Sequence, residues 1–145
     1  VHWQRQYLHP MLRAFDAPMR EECTAKRPIS NTPLAALILL NDPTFVEASR
    51  ALAARTLETE AEDAERLRKL FRRVVSRLPT DDELRILSEL LRRQRQRFAA
   101  RPHAARALLA VGAAKIGEQV EQNELAAWTT VAQTVLSLDE AITLR

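Results

Sequence analysis

Glycine is scarce in this sequence, in which Gly112 and Gly117 are the only glycines among 145 residues. A β-rich fold of this length normally needs more glycine in its tight turns, so the scarcity favours helices. Neither glycine lies in a nucleophile elbow, a phosphate-binding loop or a dinucleotide-binding fingerprint. Enzymes built around these three motifs are therefore excluded.

Cysteine and long apolar runs are also rare. Cys23 is the single cysteine, so no disulfide can form within the chain and the cysteine count indicates no redox compartment. The longest apolar run, 33–40, is far shorter than the about 18 residues of a membrane-spanning helix, and we expect no membrane span. The chain begins without Met and without a signal peptide, so we interpret it as a C-terminal fragment of a longer protein.

The residues that are abundant favour helices. Ala, Leu, Arg and Glu, all strong helix formers, dominate a chain with 46% hydrophobic and 28% charged residues. Pro10, Pro18 and Pro28 interrupt the first part of the chain. We therefore predict one all-α domain over 1–145, in which an irregular N-terminal arm (1–31) packs on a compact bundle of five or six helices (32–145).

Two of the predicted helices begin in the same way. Thr32 and Asp42 each offer a capping oxygen one residue before a proline, and proline is tolerated at the first helical position. The first of these helices, about 33–40, is apolar nearly all round, which predicts a buried central helix. The second is expected over about 43–57.

Three further helices follow from capping boxes and apolar periodicity. Thr59 with Glu62 predicts a helix over about 61–77, and Thr80 with Glu83 predicts one over about 81–100. The connection between them is so short that the two helices should form an antiparallel hairpin. Pro102 begins a helix that should end near Gly112, and a last long helix, about 123–138, has Trp128 on its inner side.

No metal or haem motif is present. His2, His9 and His103 do not lie at ligand spacing from one another or from cysteine, and no Cys-x-x-Cys-His motif occurs. We therefore predict no cofactor in this fragment, and we assign no catalytic residue.

One group of polar residues in the N-terminal arm is a candidate cleft, made of Asp16, Arg20, Glu21, Cys23 and Arg27. As a nucleophile, Cys23 would need a nearby cation to favour the thiolate and His9 as a base. The carboxylates could serve as acid and base. The simpler interpretation is favoured, in which Cys23 is a small packing residue and the carboxylates pair with the arginines.

Basic residues are concentrated in the middle of the chain. Residues 66–106 contain 13 basic and 4 acidic side chains, whereas 1–65 contain 7 and 10 and 107–145 contain 2 and 5. Arg92, Arg93, Arg95 and Arg97 form a candidate polyanion-binding face. The favoured alternative is a solvated face whose arginines pair with the acidic parts. Nucleic acid is a disfavoured partner, because no aromatic residues that stack on bases are interleaved.

Several short stretches resemble a known family, the first planctomycete secreted domain, whose function is unknown. The stretches that carry the resemblance are Asp16-Ala17-Pro18, Arg20-Glu21 with Cys23, Asn31-Thr32-Pro33-Leu34, Leu39-Leu40-Asn41-Asp42-Pro43, Glu124-Leu125-Ala126-Ala127-Trp128 and Leu138-Asp139-Glu140. The resemblance implies an extracytoplasmic setting, in the periplasm or at the cell surface. It also implies upstream domains in the same parent chain, often including a planctomycete-type cytochrome c domain.

Three functions remain open from the sequence. The leading one is a non-enzymatic structural or interaction module of a larger secreted, cytochrome-associated protein, with upstream domains or other extracytoplasmic proteins as partners. The second is part of an enzyme acting on an extracellular polysaccharide, including a sulfated one, for which the candidate cleft would be lined by Asp16, Arg20, Glu21 and Arg27. The third is a basic module that binds polyanions.

Overall fold

A computed structural model describes residues 8–19, 23, 25–26, 30, 32–58, 61–114 and 120–143. Of these residues 74% are helical, in eight helices, and none is in a strand. The prediction of an all-α fold is therefore confirmed. The helices are α1 Pro10–Ala14, α2 Pro33–Asn41, α3 Pro43–Leu57, α4 Asp63–Val75, α5 Asp81–Ala100, α6 Pro102–Leu109, α7 Gln122–Leu136 and α8 Asp139–Ile142.

Most of the predicted helix starts are present as capping hydrogen bonds. Thr32 Oγ1 accepts the Ala35 N–H at 3.2 Å, and Asp42 Oδ1 accepts the Thr44 N–H at 2.9 Å. The capping box of α5 is complete, since Thr80 and Glu83 each accept the other's backbone N–H. These bonds satisfy amide groups that have no partner within the helix.

Two helix boundaries differ from the prediction. Glu62 is itself the N-cap of α4 and makes no side-chain cap bond, so the predicted capping box with Glu62 inside the helix is wrong; Thr59 lies outside the described residues. Helix α6 ends at Leu109 and not near Gly112. The chain leaves the helix early because side chains of α3 bind the backbone of the following turn, as described below.

The core is centred on α7, which packs against α2, α3, α4, α5, α6 and α8. Trp128, Val131 and Val135 are fully buried in it, together with Phe71 of α4 and Leu91 of α5. Trp128 therefore belongs to the core, as its position on the inner side predicts. Helices α4 and α5 also contact each other, as the predicted hairpin requires.

Helix α2 is not the buried central helix that its composition predicts. Only Ala35 and Leu39 are buried, whereas Leu34, Leu37 and Leu40 are 56%, 57% and 45% exposed. The reason is its position, because α2 packs mainly on α1, α3 and α7 among the described helices and these leave its outer side uncovered. No helix in the described part of the chain is both long and apolar enough to cross a membrane.

Candidate functional site

The α2 leucine face, made of Leu34, Leu37 and Leu40, is the most prominent exposed apolar surface on any one helix in the described part of the chain. At about 100° per residue, these three positions cover about 120° of the helix circumference. Ala35 and Leu39 point the opposite way into the bundle. The helix therefore has two apolar sides, and the core covers one of them.

The α2 leucine face is held rigidly at both ends. The cap bond of Thr32 fixes its start. At its end, the buried Gln133 of α7 donates through Nε2 to the carbonyl oxygen of Leu40 at 3.0 Å. Asp42 then closes α2 and begins α3. A short helix anchored in this way presents its outer side chains from a defined backbone position.

The candidate cleft of the N-terminal arm is only partly described. Asp16 has a positive φ of 55°, and its carboxylate accepts the backbone N–H of Ser30 at 2.6 Å and the Ser30 hydroxyl at 2.7 Å. Cys23 is exposed. Arg20, Glu21 and Arg27 lie outside the described residues, so the structure does not test whether the five residues line one cleft. Through these hydrogen bonds, Asp16 connects the region after α1 with Ser30 near the start of α2.

Two arginines of the candidate polyanion face share one acidic partner. Arg92 donates to both carboxylate oxygens of Glu89 at 2.8 Å, and Arg93 Nε donates to Oε1 at 2.7 Å. These two guanidinium groups lower the pKa of Glu89 to about 2. Arg97 lies over the ring of Phe98, 5.5 Å from its centre. Arg92, Arg93 and Arg97 are exposed on α5.

Arg95, the fourth arginine of that candidate face, joins three helices. Its guanidinium binds Asp63 in the first turn of α4, with Nη2 3.0 Å from Oδ1, and Glu124 in the first turn of α7, with Nε 2.8 Å from Oε2. Glu124 also accepts the indole N–H of the buried Trp128 at 2.8 Å. Arg95 lowers the pKa of Asp63, first through its hydrogen bonds and then through its charge. The guanidinium of Arg95 thus pairs with two carboxylates of this domain, as the favoured alternative for that face expects.

The histidines do not come together with other ligands in the described residues. His9 Nδ1 accepts the backbone N–H of Met11 at 3.3 Å, His103 is exposed on α6, and His2 lies outside the described residues. Within the described part of the chain, no group of three His, Cys, Asp or Glu side chains could hold a metal ion. The absence of a cofactor stays a prediction.

A groove that the sequence did not predict separates the start of α3 from the turn after α6. It has a volume of about 500 Å³ and is lined by Pro43, Thr44, Glu47, Ala48, Ala51, Gly112 and Ala113. The carboxylate of Glu47, the only charged side chain among the described residues that line it, accepts the backbone N–H groups of Ala113 and Ala114. The sequence offers only the glycine at position 112, which predicts a helix stop, and the structure shows that it has a positive φ of 96°.

The described residues form an all-helical fold in which a short, capped helix has three exposed leucines on one side. The chain belongs to the family PSD1, described as a protein of unknown function (DUF1553), whose model matches residues 1–91. This match bears out the resemblance to a family of unknown function for the region up to the middle of α5. The planctomycete setting and the C-terminal position in a longer protein stay predictions. The stretches around Glu124 and Asp139 lie beyond the match. Searches of curated proteins and of solved structures gave no significant match.

Proposed function

We propose that this domain is a non-enzymatic interaction module of a longer secreted polypeptide, and that the α2 leucine face docks on a neighbouring domain of that polypeptide. The observation that carries the proposal is the exposure of Leu34, Leu37 and Leu40 on a helix fixed at both ends. Contiguous exposed apolar surface with a polar surround is typical of interaction sites. The face lies within the segment that matches the family.

The size of the face favours a partner in the same polypeptide. A specific complex between separate proteins buries about 800 Å² on each side, and three half-exposed leucines are too few to supply that area. A covalent tether removes this requirement, because it raises the effective concentration of the partner into the millimolar range. The resemblance to the planctomycete secreted domain family supports the same choice, since it implies upstream domains in the parent chain, a cytochrome c domain among them.

Photo-crosslinking in the intact parent protein tests the proposal. The photoreactive residue p-benzoyl-phenylalanine replaces Leu37 in one variant. In the control it replaces Ile86, which is 59% exposed on α5. After irradiation, peptide mass spectrometry should find position 37 joined to a segment of the parent chain outside these 145 residues, at a much higher yield than position 86. Crosslinks at position 37 confined to this domain, crosslinks to a second copy, or equal yields at both positions would each refute the docking proposal.

A further inference from the structure

The exposed side of α4 has a cluster of cationic side chains that differs from the arginines of α5. The inner side of this helix is formed by Leu67, Leu70 and Phe71, all buried. Lys69, Arg72 and Arg73 lie on the other side and are exposed. Their spacing of three and four residues makes them neighbours on the helix surface, and they extend about 6 Å along its axis. We call these three residues the α4 cationic stripe.

The charges of the stripe are not neutralised within the described part of the chain. No carboxylate there lies within 4 Å of Lys69, Arg72 or Arg73, whereas Arg92 and Arg93 both pair with Glu89. Glu65, one helical turn before Lys69, pairs with Arg68 at 3.8 Å, Asp63 pairs with Arg95, and Glu62 lies at the N-cap about two turns from Lys69. The stripe therefore keeps its positive charge available for a partner.

We infer that the α4 cationic stripe binds a sulfated polysaccharide. Guanidinium groups donate paired hydrogen bonds to tetrahedral oxyanions, and two of the three cations are arginines. The interaction is independent of the α2 leucine face, which is uncharged and lies on another helix. It therefore adds a ligand to the proposed docking function and does not depend on it.

A polysaccharide fits this stripe better than a nucleic acid does. The exposed side of α4 has no aromatic residue for base stacking and no Asn or Gln for reading base edges. A nucleic acid therefore gains no base contacts from the stripe, whereas the sulfate groups of a polysaccharide need only the cations.

The test measures heparin binding at 0.15 M salt by titration calorimetry. Arg72→Gln with Arg73→Gln removes two charges from the stripe, and Arg92→Gln with Arg93→Gln removes the same charge from the paired arginines of α5. We expect the first double variant to weaken heparin binding at least tenfold and the second to weaken it less than threefold. Lys69→Gln is a single change at an exposed helical position, and glutamine is a good helix former. It should weaken heparin binding about threefold, and it replaces the first double variant in the test if that variant does not fold.

Circular dichroism and the unfolding midpoint establish that each variant is folded. The inference is wrong if the unsubstituted domain does not bind heparin at this salt concentration. It is also wrong if both double variants lose heparin affinity to the same extent. It is also wrong in its choice of ligand if a 20-base-pair DNA duplex binds as tightly as heparin and loses affinity with the same variant. None of these outcomes affects the crosslinking test at position 37, so the two proposals fail separately.

Discussion

The carboxylate of Glu47 occupies the space that a side chain on Gly112 would need. A Cβ added to Gly112 would lie 2.9 Å from the Cβ of Glu47 and closer still to its carboxylate. This carboxylate accepts the N–H of Ala113 at 2.5 Å and of Ala114 at 3.2 Å. These backbone hydrogen bonds, with the charge of Arg50 as a smaller cause, lower the pKa of Glu47.

Arg50 completes this contact one helical turn further along α3. It is buried, and its guanidinium donates to the carbonyl oxygens of Leu109, Val111 and Ala114, the last at 2.7 Å. Glu47 therefore binds N–H groups and Arg50 binds carbonyl groups of the same turn. Both residues lie within the family match, and the turn they hold lies beyond it.

Gly112→Ala should destabilise the domain because of this contact. The positive φ of 96° alone costs about 1–3 kcal/mol for a residue with a Cβ, and the displacement of Glu47 adds to that. Urea unfolding measures the loss. In a Glu47→Ala background the same substitution should cost less, because the clash with the carboxylate is gone while the close contact with the Cβ of residue 47 and the backbone strain remain. Equal costs in both backgrounds would show that Glu47 does not confine this position.

Leu37→Ala and Leu39→Ala should differ sharply in their effect on the isolated domain. Truncation of a buried leucine to alanine costs about 2–5 kcal/mol, but Leu37 is 57% exposed. We therefore expect a change within about 0.5 kcal/mol, as for other surface positions. Leu39, two residues on and 6% exposed, should cost about 2–5 kcal/mol instead. Similar losses for the two variants in urea unfolding would contradict the orientation of α2.

The contrast between these two leucines shows what sequence patterns can and cannot predict. The cap at Thr32 was predictable because capping depends on residues three positions apart. The direction of α2 was not, because a helix that is apolar on every side has no periodicity to indicate which side the bundle covers. Pairing of Arg95 with the acidic parts of the chain was predicted, but its particular partners were not, since Asp63 and Glu124 lie 32 and 29 residues away in the sequence.

Thr32 and Asp42, the two capping residues that each precede a proline, should contribute to stability as ordinary helix caps. Thr32→Ala removes the acceptor for Ala35 N–H, and Asp42→Ala removes the acceptor for Thr44 N–H. Each should lower the free energy of unfolding by about 0.5–2 kcal/mol. The nine-residue length of α2 separates the two sites by more than 10 Å, so the double variant should show the sum within about 0.5 kcal/mol. Thermal or urea unfolding of the three variants measures these losses. Full stability of both single variants would show that the Thr32 and Asp42 caps do not stabilise the domain.

Arg95 should matter far more to stability than its neighbour Arg93. Arg95→Ala removes the hydrogen bonds to Asp63 and Glu124 and leaves two carboxylates facing each other beside Trp128. Hydrogen bonds between charged groups contribute about 1.5–3 kcal/mol, and we expect a loss in that range. Arg93→Ala breaks only the exposed pair with Glu89 and should cost less than about 1 kcal/mol. Losses that are equal in urea unfolding would mean that the three-helix network is no stronger than a surface ion pair.

The pair between Arg77 and Glu83 should make stability depend on pH. Arg77 binds both carboxylate oxygens of Glu83, at 2.8 and 2.7 Å, and also pairs with Glu140 of α8. Arg77, first, and the backbone N–H of Thr80 lower the pKa of Glu83 to about 2, from a usual value of 4.5. Because the pKa in the folded state is below that in the unfolded chain, this pair stabilises the fold above about pH 4.5, and its contribution is lost as pH falls towards 2.

Glu83→Gln isolates that contribution to stability. Glutamine at this position preserves the capping box with Thr80 and removes only the charge that Arg77 binds. Since the pair is largely exposed to solvent, its contribution should be modest, about 0.5–1 kcal/mol. The unsubstituted domain should therefore be more stable than the Glu83→Gln variant at pH 6 by about that amount, and the difference should shrink progressively as pH falls from 4.5 to 2. Urea unfolding of both proteins at several pH values measures this difference directly. A difference that stays constant across the range, or one that grows as pH falls, would show that Arg77 does not hold Glu83 in its charged form.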